Sequence, residues 1–495
     1  MRSEAKRHRG SAIAFLAAVA LLVAVAVPAA GAARRGGSGG GINSVEPVTD
    51  GVTKSSVTIV FPVVDLSAAS GSAGLQYISD EKDPLGIHTY VRAFNEAGGV
   101  NGRKIKPKIV KFNPLKPSEM RALCKDWTTS GEVFAVLDTG KWHGDNQLCI
   151  TEEGQLPLIS SWTTVTEWTD RGAPYLWWLG PDQADILRNL VAWGADEGLL
   201  TEDRSFAVIS GDRAGDQLAV EDYLLPALEE RGLEPALTAT ITANIDDPTT
   251  AASQAGAVVR RLNSDGIDVV IPLLSVFPGF QSFVSLAKSQ DYAPAVLLSD
   301  YEQSVNVALG LAESLYPDQM SGQRGPTVYT LSNEDDDRPD GDVVLEDNGA
   351  PVGEGYTPEA LACWQTYQEQ NPNRLEKFPY IEAQGPTMRW CDAINVLKEA
   401  MEIAGPKLNR KTFIQALSEM QDFPVALTQT ITWGPNDFSG PSTFRVVSPT
   451  ANVKTIEGNK CPPRHSSYDD TPGDPENKFH GSCWVLIEDW QPLQT

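Results

Sequence analysis

Histidine is scarce in this sequence, and its scarcity argues against most metal-dependent chemistry. Of the five histidines in 495 residues, four follow residue 33: His88, His143, His465 and His480. None forms a His-Glu-x-x-His pattern, in which two histidines on one helix face hold zinc. A Gly-x-Ser-x-Gly nucleophile turn is also missing. The sequence therefore predicts no catalytic centre, no metal and no cofactor, although its many carboxylates leave a glycosidase pair open.

Positive charge is in short supply as well. The chain has 40 Lys and Arg against 65 Asp and Glu, a formal net charge of −25. A surface of this sign repels the phosphate backbone of nucleic acids and helps to keep a protein in solution. A nucleotide loop is missing too, because Gly140-Lys141 is followed by Trp142. The sequence therefore predicts no nucleic-acid partner.

Long apolar runs are nearly absent, and the exception lies at the N-terminus. A basic head precedes the uncharged run Ala12–Val27, and the small residues Ala29–Ala33 follow it. This order is typical of an export signal. We expect a signal peptide over residues 1–33 and an extracytoplasmic mature chain. The alternative, a retained membrane anchor, needs a longer run than these 16 residues.

Cysteine is infrequent but evenly numbered. All six cysteines lie beyond the signal, and no two form a Cys-x-x-Cys pair, which argues against a zinc ribbon. An even count in an exported chain favours disulfides. Neighbouring cysteines are 25, 28 and 22 residues apart, which suggests local pairing as Cys124–Cys149, Cys363–Cys391 and Cys461–Cys483.

Between these features the chain alternates short apolar strands with helices. A Gly- and Ser-rich flexible linker is expected over 34–54, and the alternation runs from about residue 57 to 332. Such repetition predicts α/β architecture with parallel sheets covered on both faces. The acidic stretch 332–342 is expected to be a solvated loop rather than a calcium loop, and a β-rich extension follows residue 450.

Several segments resemble the periplasmic binding proteins for branched-chain amino acids and amides. Cys124 and Cys149 have the separation of that family's first-lobe disulfide. The other similar segments, in the family's order, are Asn95–Arg103, Gln155–Ser160, Glu167–Gly172 and Ile431–Asn436. The family lacks catalytic function, so the resemblance implies a binding protein and not an enzyme.

The resemblance implies two doubly wound parallel-sheet lobes, a type I periplasmic binding protein, joined by three crossovers near Leu179, Tyr329 and Thr430. Lobe 1 would comprise 55–179 and 330–429, and lobe 2 would comprise 180–329 and 430–495. A small polar ligand, such as an amino acid or amide, would bind between the lobes. A monomer would then deliver it to the permease of an ABC importer.

The alternative is a secreted sensor or surface interaction protein on the same fold, acting without a transporter. No cysteine lies near the cleavage site, where the usual lipid anchor of such proteins attaches.

Lobe 1 would contribute two loops to the site. By the resemblance, Thr164 takes the place of a hydroxyl that holds the ligand's carboxylate. Hydroxyls and loop amides suit an anion. An ordinary capping cluster and, for the tryptophans, core filling are the alternatives. The candidates in these loops are Thr139, Trp142, Ser160, Trp162, Thr163 and Thr164.

Lobe 2 would contribute the residues that follow its own strands. Asp300 or Glu302 would supply the family's acidic partner for a ligand ammonium, with helix capping by Asp300 as the alternative. Asp212 and Ser275 complete the candidate set.

Overall fold

The computed structural model describes residues 41–65, 82–114, 116–139, 142, 145–161, 165–244, 247–305, 317–320, 323–329, 357–372, 380–451 and 482–493. The chain divides into two units, 1–37 and 38–495, and every described residue belongs to the second. The expected export signal, the acidic stretch 332–342 and Cys461 lie outside the described residues.

The strands are short, and most are apolar and buried. They run β1 Ser56–Val64, β2 Lys104–Phe112, β3 Ala135–Asp138, β4 Leu158–Ser160, β5 Leu176–Trp178, β6 Phe206–Ser210, β7 Leu237–Thr240, β8 Val269–Leu273, β9 Ala295–Val296, β10 Gly325–Thr327, β11 Phe423–Pro424, β12 Thr430–Ile431, β13 Thr443–Ala451 and β14 Ser482–Pro492.

Helices alternate with these strands, as a parallel sheet requires. They run α1 Lys82–Glu96, α2 Pro117–Thr129, α3 Asp145–Leu148, α4 Thr166–Gly172, α5 Gln183–Asp196, α6 Ala214–Leu218, α7 Leu225–Glu229, α8 Pro248–Ser264, α9 Gln281–Ser289, α10 Pro317–Met320, α11 Pro358–Gln370, α12 Tyr380–Ala404 and α13 Arg410–Leu417. Shorter 3-10 or π turns occur at Ile42–Ser44, Cys149–Glu153, Ala219–Leu224, Val276–Phe280 and Tyr301–Gln303.

Two parallel sheets confirm the predicted fold class. The first has the order β2-β1-β3-β4-β5 and the second has the order β7-β6-β8-β9. Strand β1 lies inside its sheet, and its buried residues pack on both faces, Ile59 and Phe61 on one and Val60 on the other. Within the described ranges, no helix is both long and apolar enough to cross a membrane.

The C-terminal extension adds an antiparallel sheet, β10-β13-β14, to lobe 2. A single parallel bridge, Leu297 with Arg324, joins it to the end of the second sheet. The approach there is close, since a Cβ on Gly325 would lie 1.7 Å from the carbonyl oxygen of Leu298. Only glycine therefore fits at this join.

Two predicted boundaries are wrong. The third crossing lies about ten residues after Thr430, because Trp433 and Phe438 belong to the core of lobe 1 and Phe444 to that of lobe 2. The flexible linker ends before residue 42, since Ile42 and Val45 are buried in the core of lobe 1. In both the segment at Ile42 and the segment at Trp433, buried apolar side chains attach the backbone to the core of lobe 1.

Two of the expected disulfides are confirmed. Cys124–Cys149 joins α2 to the turn after α3, with Cα atoms 6.3 Å apart. Cys363–Cys391 joins α11 to α12, with Cα atoms 6.0 Å apart. Each closes a short loop inside lobe 1. The pair Cys461–Cys483 stays a prediction, because Cys461 is not described.

Arg410 fastens the N-terminal segment to lobe 1. Its buried guanidinium donates to the carbonyls of Val133, at 3.1 Å, and Gln155, at 3.3 Å. Its backbone N–H donates to the carbonyl of Val48, at 2.8 Å. The side chain thereby satisfies two carbonyls that come from different loops.

We predict that Arg410→Met lowers the free energy of unfolding by about 2–4 kcal/mol, because the buried carbonyl of Val133 and the part-buried carbonyl of Gln155 lose their donor. Urea denaturation measures the change. Lys411→Met is the matched control, since that exposed ammonium contacts only the carbonyl of Asn43, and its effect should stay within about 0.5 kcal/mol. Equal effects of the two variants would contradict the prediction.

Candidate functional site

The two lobes meet where their strands end. The hydroxyl of Tyr329 donates to the carbonyl of Ser161, just after β4, at 3.4 Å. A Cβ on Gly215, in α6 after strand β6, would lie 2.9 Å from Val165 of lobe 1. The carboxyl ends of strands in both sheets therefore border one space, which we call the interlobe cleft.

On the lobe 1 side, a buried carboxylate organises the strand ends. Asp138, the last residue of β3, accepts from the hydroxyl of Ser160 at 2.9 Å and from the N–H of Trp142 at 3.2 Å. The next residue, Thr139, is buried, and its carbonyl accepts from Arg389 of α12 at 3.4 Å. In this structure the hydroxyl of Ser160 therefore donates to Asp138.

Trp142 lies in the core of lobe 1 and not along the cleft. Its side chain is fully buried, and its ring centroid lies 4.7 Å from that of Trp127 and 4.9 Å from that of Phe112. The indole N–H donates to the carbonyl of Asn146 at 3.1 Å. The structure thus favours core filling over the proposed aromatic wall, because the ring is fully buried against two aromatic side chains and its N–H has a partner.

Two buried hydroxyls at the cleft lack any partner among the described residues. Ser161 follows β4 of lobe 1 and is 4% exposed, and Ser275 follows β8 of lobe 2 and is 8% exposed. Neither Oγ has a hydrogen bond within the described part of the chain. Because a buried hydroxyl without a partner is costly, these are the groups that a ligand best satisfies.

The sequence indicated Ser275 but missed Ser161, naming its neighbour Ser160 instead. Successive residues of a strand point to opposite faces of the sheet. Ser160 therefore bonds to Asp138, whereas the hydroxyl of Ser161, on the other face, has no partner among the described residues. Trp162, Thr163 and Thr164, the other candidates of this loop, lie outside the described residues.

On the lobe 2 side, one acidic candidate, Glu302, belongs to an ion-pair network that also contains Asp216, which the sequence did not indicate. The guanidinium of Arg213 donates to Asp216 and Glu302, each at 2.7 Å. The hydroxyl of Tyr301 also donates to Asp216, at 2.5 Å. Burial and the charge of Asp216 raise the pKa of Glu302, against the opposing effect of Arg213. Glu302 therefore already pairs with a cation of its own lobe, which it shares with Asp216.

Asp300 is bonded to the segment that leads into the second crossing, near Tyr329. Its two oxygens accept from the hydroxyl of Thr327 at 2.7 Å and from the N–H of Val328 at 2.8 Å. Burial raises its pKa to about 7, although both hydrogen bonds lower it. Asp212, the remaining acidic candidate, accepts from the backbone N–H of Ala243 at 2.9 Å. Both carboxylates have partners within lobe 2.

Over the described ranges, no group of three or more His, Cys, Asp or Glu side chains is placed to hold a metal ion. Two parallel-sheet lobes, three crossings and, among the described residues, unpartnered hydroxyls on both sides of a cleft define the class of two-lobed binding proteins, whose ligand sites are interlobe clefts.

The chain belongs to the periplasmic binding protein family, whose model matches residues 66–341, more than half of the sequence. This confirms the resemblance seen in the sequence, and the family consists of binding proteins rather than enzymes. Membership also implies an extracytoplasmic location. None of the curated proteins compared with the chain matches it.

Solved structures share the fold at low identity. A Thermomonospora curvata fatty acid ABC transporter substrate-binding protein has TM-score 0.58 and 16% identity, covering 89% of this chain and 93% of its own. A Rhodopseudomonas palustris solute-binding protein in complex with 4-hydroxybenzoate has TM-score 0.55 and 14% identity, covering 82% and 96%. A Desulfitobacterium hafniense protein in complex with Leu has TM-score 0.52 and 16% identity, covering 81% and 98%.

We predict that Ser161→Ala and Ser275→Ala leave the free energy of unfolding within about 0.5 kcal/mol of the wild-type value, since neither hydroxyl has a partner among the described residues. Affinity for the bound compound should fall about 3- to 100-fold if each hydroxyl meets the ligand. Urea denaturation and titration calorimetry measure the two effects.

Ser160→Ala is the matched control for these variants. It removes a hydrogen bond to a buried carboxylate, so it should cost about 1–3 kcal/mol of stability. If Ser161→Ala proves as destabilising as Ser160→Ala, the hydroxyl of Ser161 has a structural partner and the assignment is wrong.

Asp300 should also give stability a dependence on pH. Because its folded pKa is raised from 3.8 to about 7, the folded state holds its proton where the unfolded state releases it. Its contribution to stability is therefore full below about pH 4 and is lost as the pH rises through 7.

We predict that Asp300→Asn makes the slope shallower without abolishing it, because burial also raises the pKa values of Asp182 and Asp392 to about 7. The exposed control Asp203→Asn should leave the slope unchanged. Urea denaturation between pH 4 and 8 measures it for the three proteins. Parallel curves for wild type and Asp300→Asn would show that Asp300 does not titrate in this range.

Proposed function

We propose that the protein captures a small organic molecule in the interlobe cleft and delivers it to an ABC importer. The observation that carries this proposal is the pair of buried, unpartnered hydroxyls, Ser161 and Ser275, one on each lobe. Family membership supports ligand capture, and the solved relatives are described as transporter proteins that bind a fatty acid, 4-hydroxybenzoate or Leu.

The remaining candidates keep roles that follow from their positions. Thr139 and Ser160 shape the lobe 1 strand ends, and Asp212, Asp300 and Glu302 shape those of lobe 2. The loop at residues 162–164 would add hydroxyls and an aromatic ring to the lobe 1 side. Amino acid transport is one form of this function, and the mature protein would act as a monomer without a lipid anchor.

Binding would couple to closure of the cleft. A ligand shifts an equilibrium between open and closed states only when it binds one of them more tightly. Contacts with Ser275 come from the second lobe, so they strengthen when that lobe approaches a ligand already held near Ser161. The crossings, pinned at Asp300 and its partners, would serve as the hinge.

Native mass spectrometry of the gently purified, exported chain tests the proposal. We expect one small molecule per chain, lost on mild denaturation, and a smaller radius of gyration by X-ray scattering when the compound is added back. A protein that carries and binds no small molecule, or that turns one over, would contradict the proposed function.

We predict that Gly215→Val weakens affinity by at least about tenfold without unfolding the protein. The new side chain would occupy the space of Val165 across the cleft, so the closed state loses about 1–3 kcal/mol. Titration calorimetry with the retained compound measures the change. Gly256→Ala is the control, because its Cβ would meet only ordinary contacts at 3.6 Å or more. Unchanged affinity in Gly215→Val would show that closure does not bring Gly215 against Val165.

A further inference from the structure

A buried arginine ties the strand after the third crossing to the backbone of the second. Arg445 of β13 is only 2% exposed. Its guanidinium donates twice to the carbonyl of Tyr329, from Nε at 3.2 Å and from Nη2 at 3.0 Å. A guanidinium is tolerated in the interior only where hydrogen bonds satisfy it. The two bonds therefore fix the place of Tyr329 relative to β13.

The C-terminal strand covers Arg445 at a β-bulge. Two residues of β14, Asp489 and Trp490, face the single residue Arg445 of β13. Bulges change the direction in which a strand presents its side chains. The guanidinium carbon of Arg445 lies 4.8 Å from the centroid of the Trp490 ring, which is a cation–π contact. The C-terminal extension thus holds the arginine that holds the second crossing.

The end of β14 also reaches the other two crossings. Leu493, directly after β14, borders a small cavity together with Pro181 after the first crossing, Val328 at the second and Phe444 after the third. The N–H of Leu493 donates to the carbonyl of Ser442 at 2.9 Å. The last described strand of the chain therefore lies where the three crossings converge.

Tyr329 connects this arrangement to the cleft. Its N–H donates to the hydroxyl of Thr327 at 3.2 Å, while its carbonyl is held by Arg445. Its side chain is buried, and the hydroxyl donates across the cleft to the carbonyl of Ser161 at 3.4 Å. The hydroxyl of Ser161 is one of the two without a partner among the described residues. A displacement of Arg445 would therefore reach the candidate site through Tyr329.

We propose that Arg445 and Trp490 are positioning residues for ligand binding, and that β14 is a strap across the crossings that keeps Tyr329 in place beside Ser161. The proposal rests on the proposed function and gives the C-terminal extension a part in it. Both β13 and β14 lie beyond residues 66–341, which match the family model. A site that is ordered before its ligand arrives loses less conformational freedom on binding. Loosening the strap therefore weakens affinity.

Hydrogen exchange of the exported chain without any added compound tests the strap by itself. Trp490→Leu keeps an apolar side chain but removes the ring from the guanidinium. The N–H groups of Val328 and Tyr329 bond to Asp300 and Thr327. We expect both to exchange about 2- to 30-fold faster than in the wild type, the factor that corresponds to one cation–π contact.

Two variants serve as controls for the exchange experiment. Trp490→Phe keeps an aromatic ring and should retain most of the protection of these two N–H groups. Arg410→Met lowers stability through contacts within lobe 1 and should not speed their exchange selectively. This comparison separates loosening of the second crossing from a general loss of stability.

Titration calorimetry tests whether the strap acts on binding through Tyr329. The probes are 4-hydroxybenzoate, leucine and octanoate, together with any compound that the purified chain retains. Trp490→Leu should weaken the binding of a probe by about 2- to 30-fold. Tyr329→Phe removes only the hydroxyl that meets Ser161 and should weaken it by about 2- to 10-fold. In the double variant the two losses should not multiply, because both changes act through one residue.

Unchanged exchange at Val328 and Tyr329 in Trp490→Leu would overturn the proposal and leave the proposed function standing. The same holds if the two losses of affinity multiply in the double variant. If exchange rises as expected but no probe binds and no compound is retained, the proposed function is wrong, and so is the claim that the strap serves binding.

Discussion

Buried carboxylates hold the segments by which the chain passes between its lobes. Asp182 caps α5 at the first crossing by accepting from the N–H of Asp185, at 2.9 Å. Asp300 binds the second crossing through Val328, and Asp392 of α12 accepts from the N–H groups of Ala426, at 2.7 Å, and Leu427, at 2.9 Å, ahead of the third. Burial raises the pKa of all three aspartates to about 7. These contacts fix the course of the backbone at or near each crossing, beside the cleft.

The fold was largely predictable because its signals are local. Apolar strands alternate with capped helices, and that periodicity alone indicates covered parallel sheets. Cysteine spacing led to the two disulfides of lobe 1 for the same reason. The errors lie at Ile42 and at Trp433, where short apolar segments join a core assembled from distant strands. No pattern within such a segment reveals which core it will join.

The site was harder to predict, and two pairs of residues show why. Ser160 and Ser161 are chemically identical, and only the direction each takes from the end of β4 decides which hydroxyl is left without a partner. Arg389 is 250 residues from Thr139, and only the docking of α12 against the first sheet brings them together. Glu302 was found by residue type, but its pairing with Arg213 depends on loops that follow different strands.

Gly325 shows how a residue outside the site can govern it. The join between β9 and β10 leaves room for only a hydrogen atom near the carbonyl of Leu298. Any side chain there would push β10 outward and carry Thr327 and Val328 away from Asp300. A substitution at residue 325 would therefore disturb the second crossing, although the nearest atoms to this glycine are those of Leu298 in its own lobe.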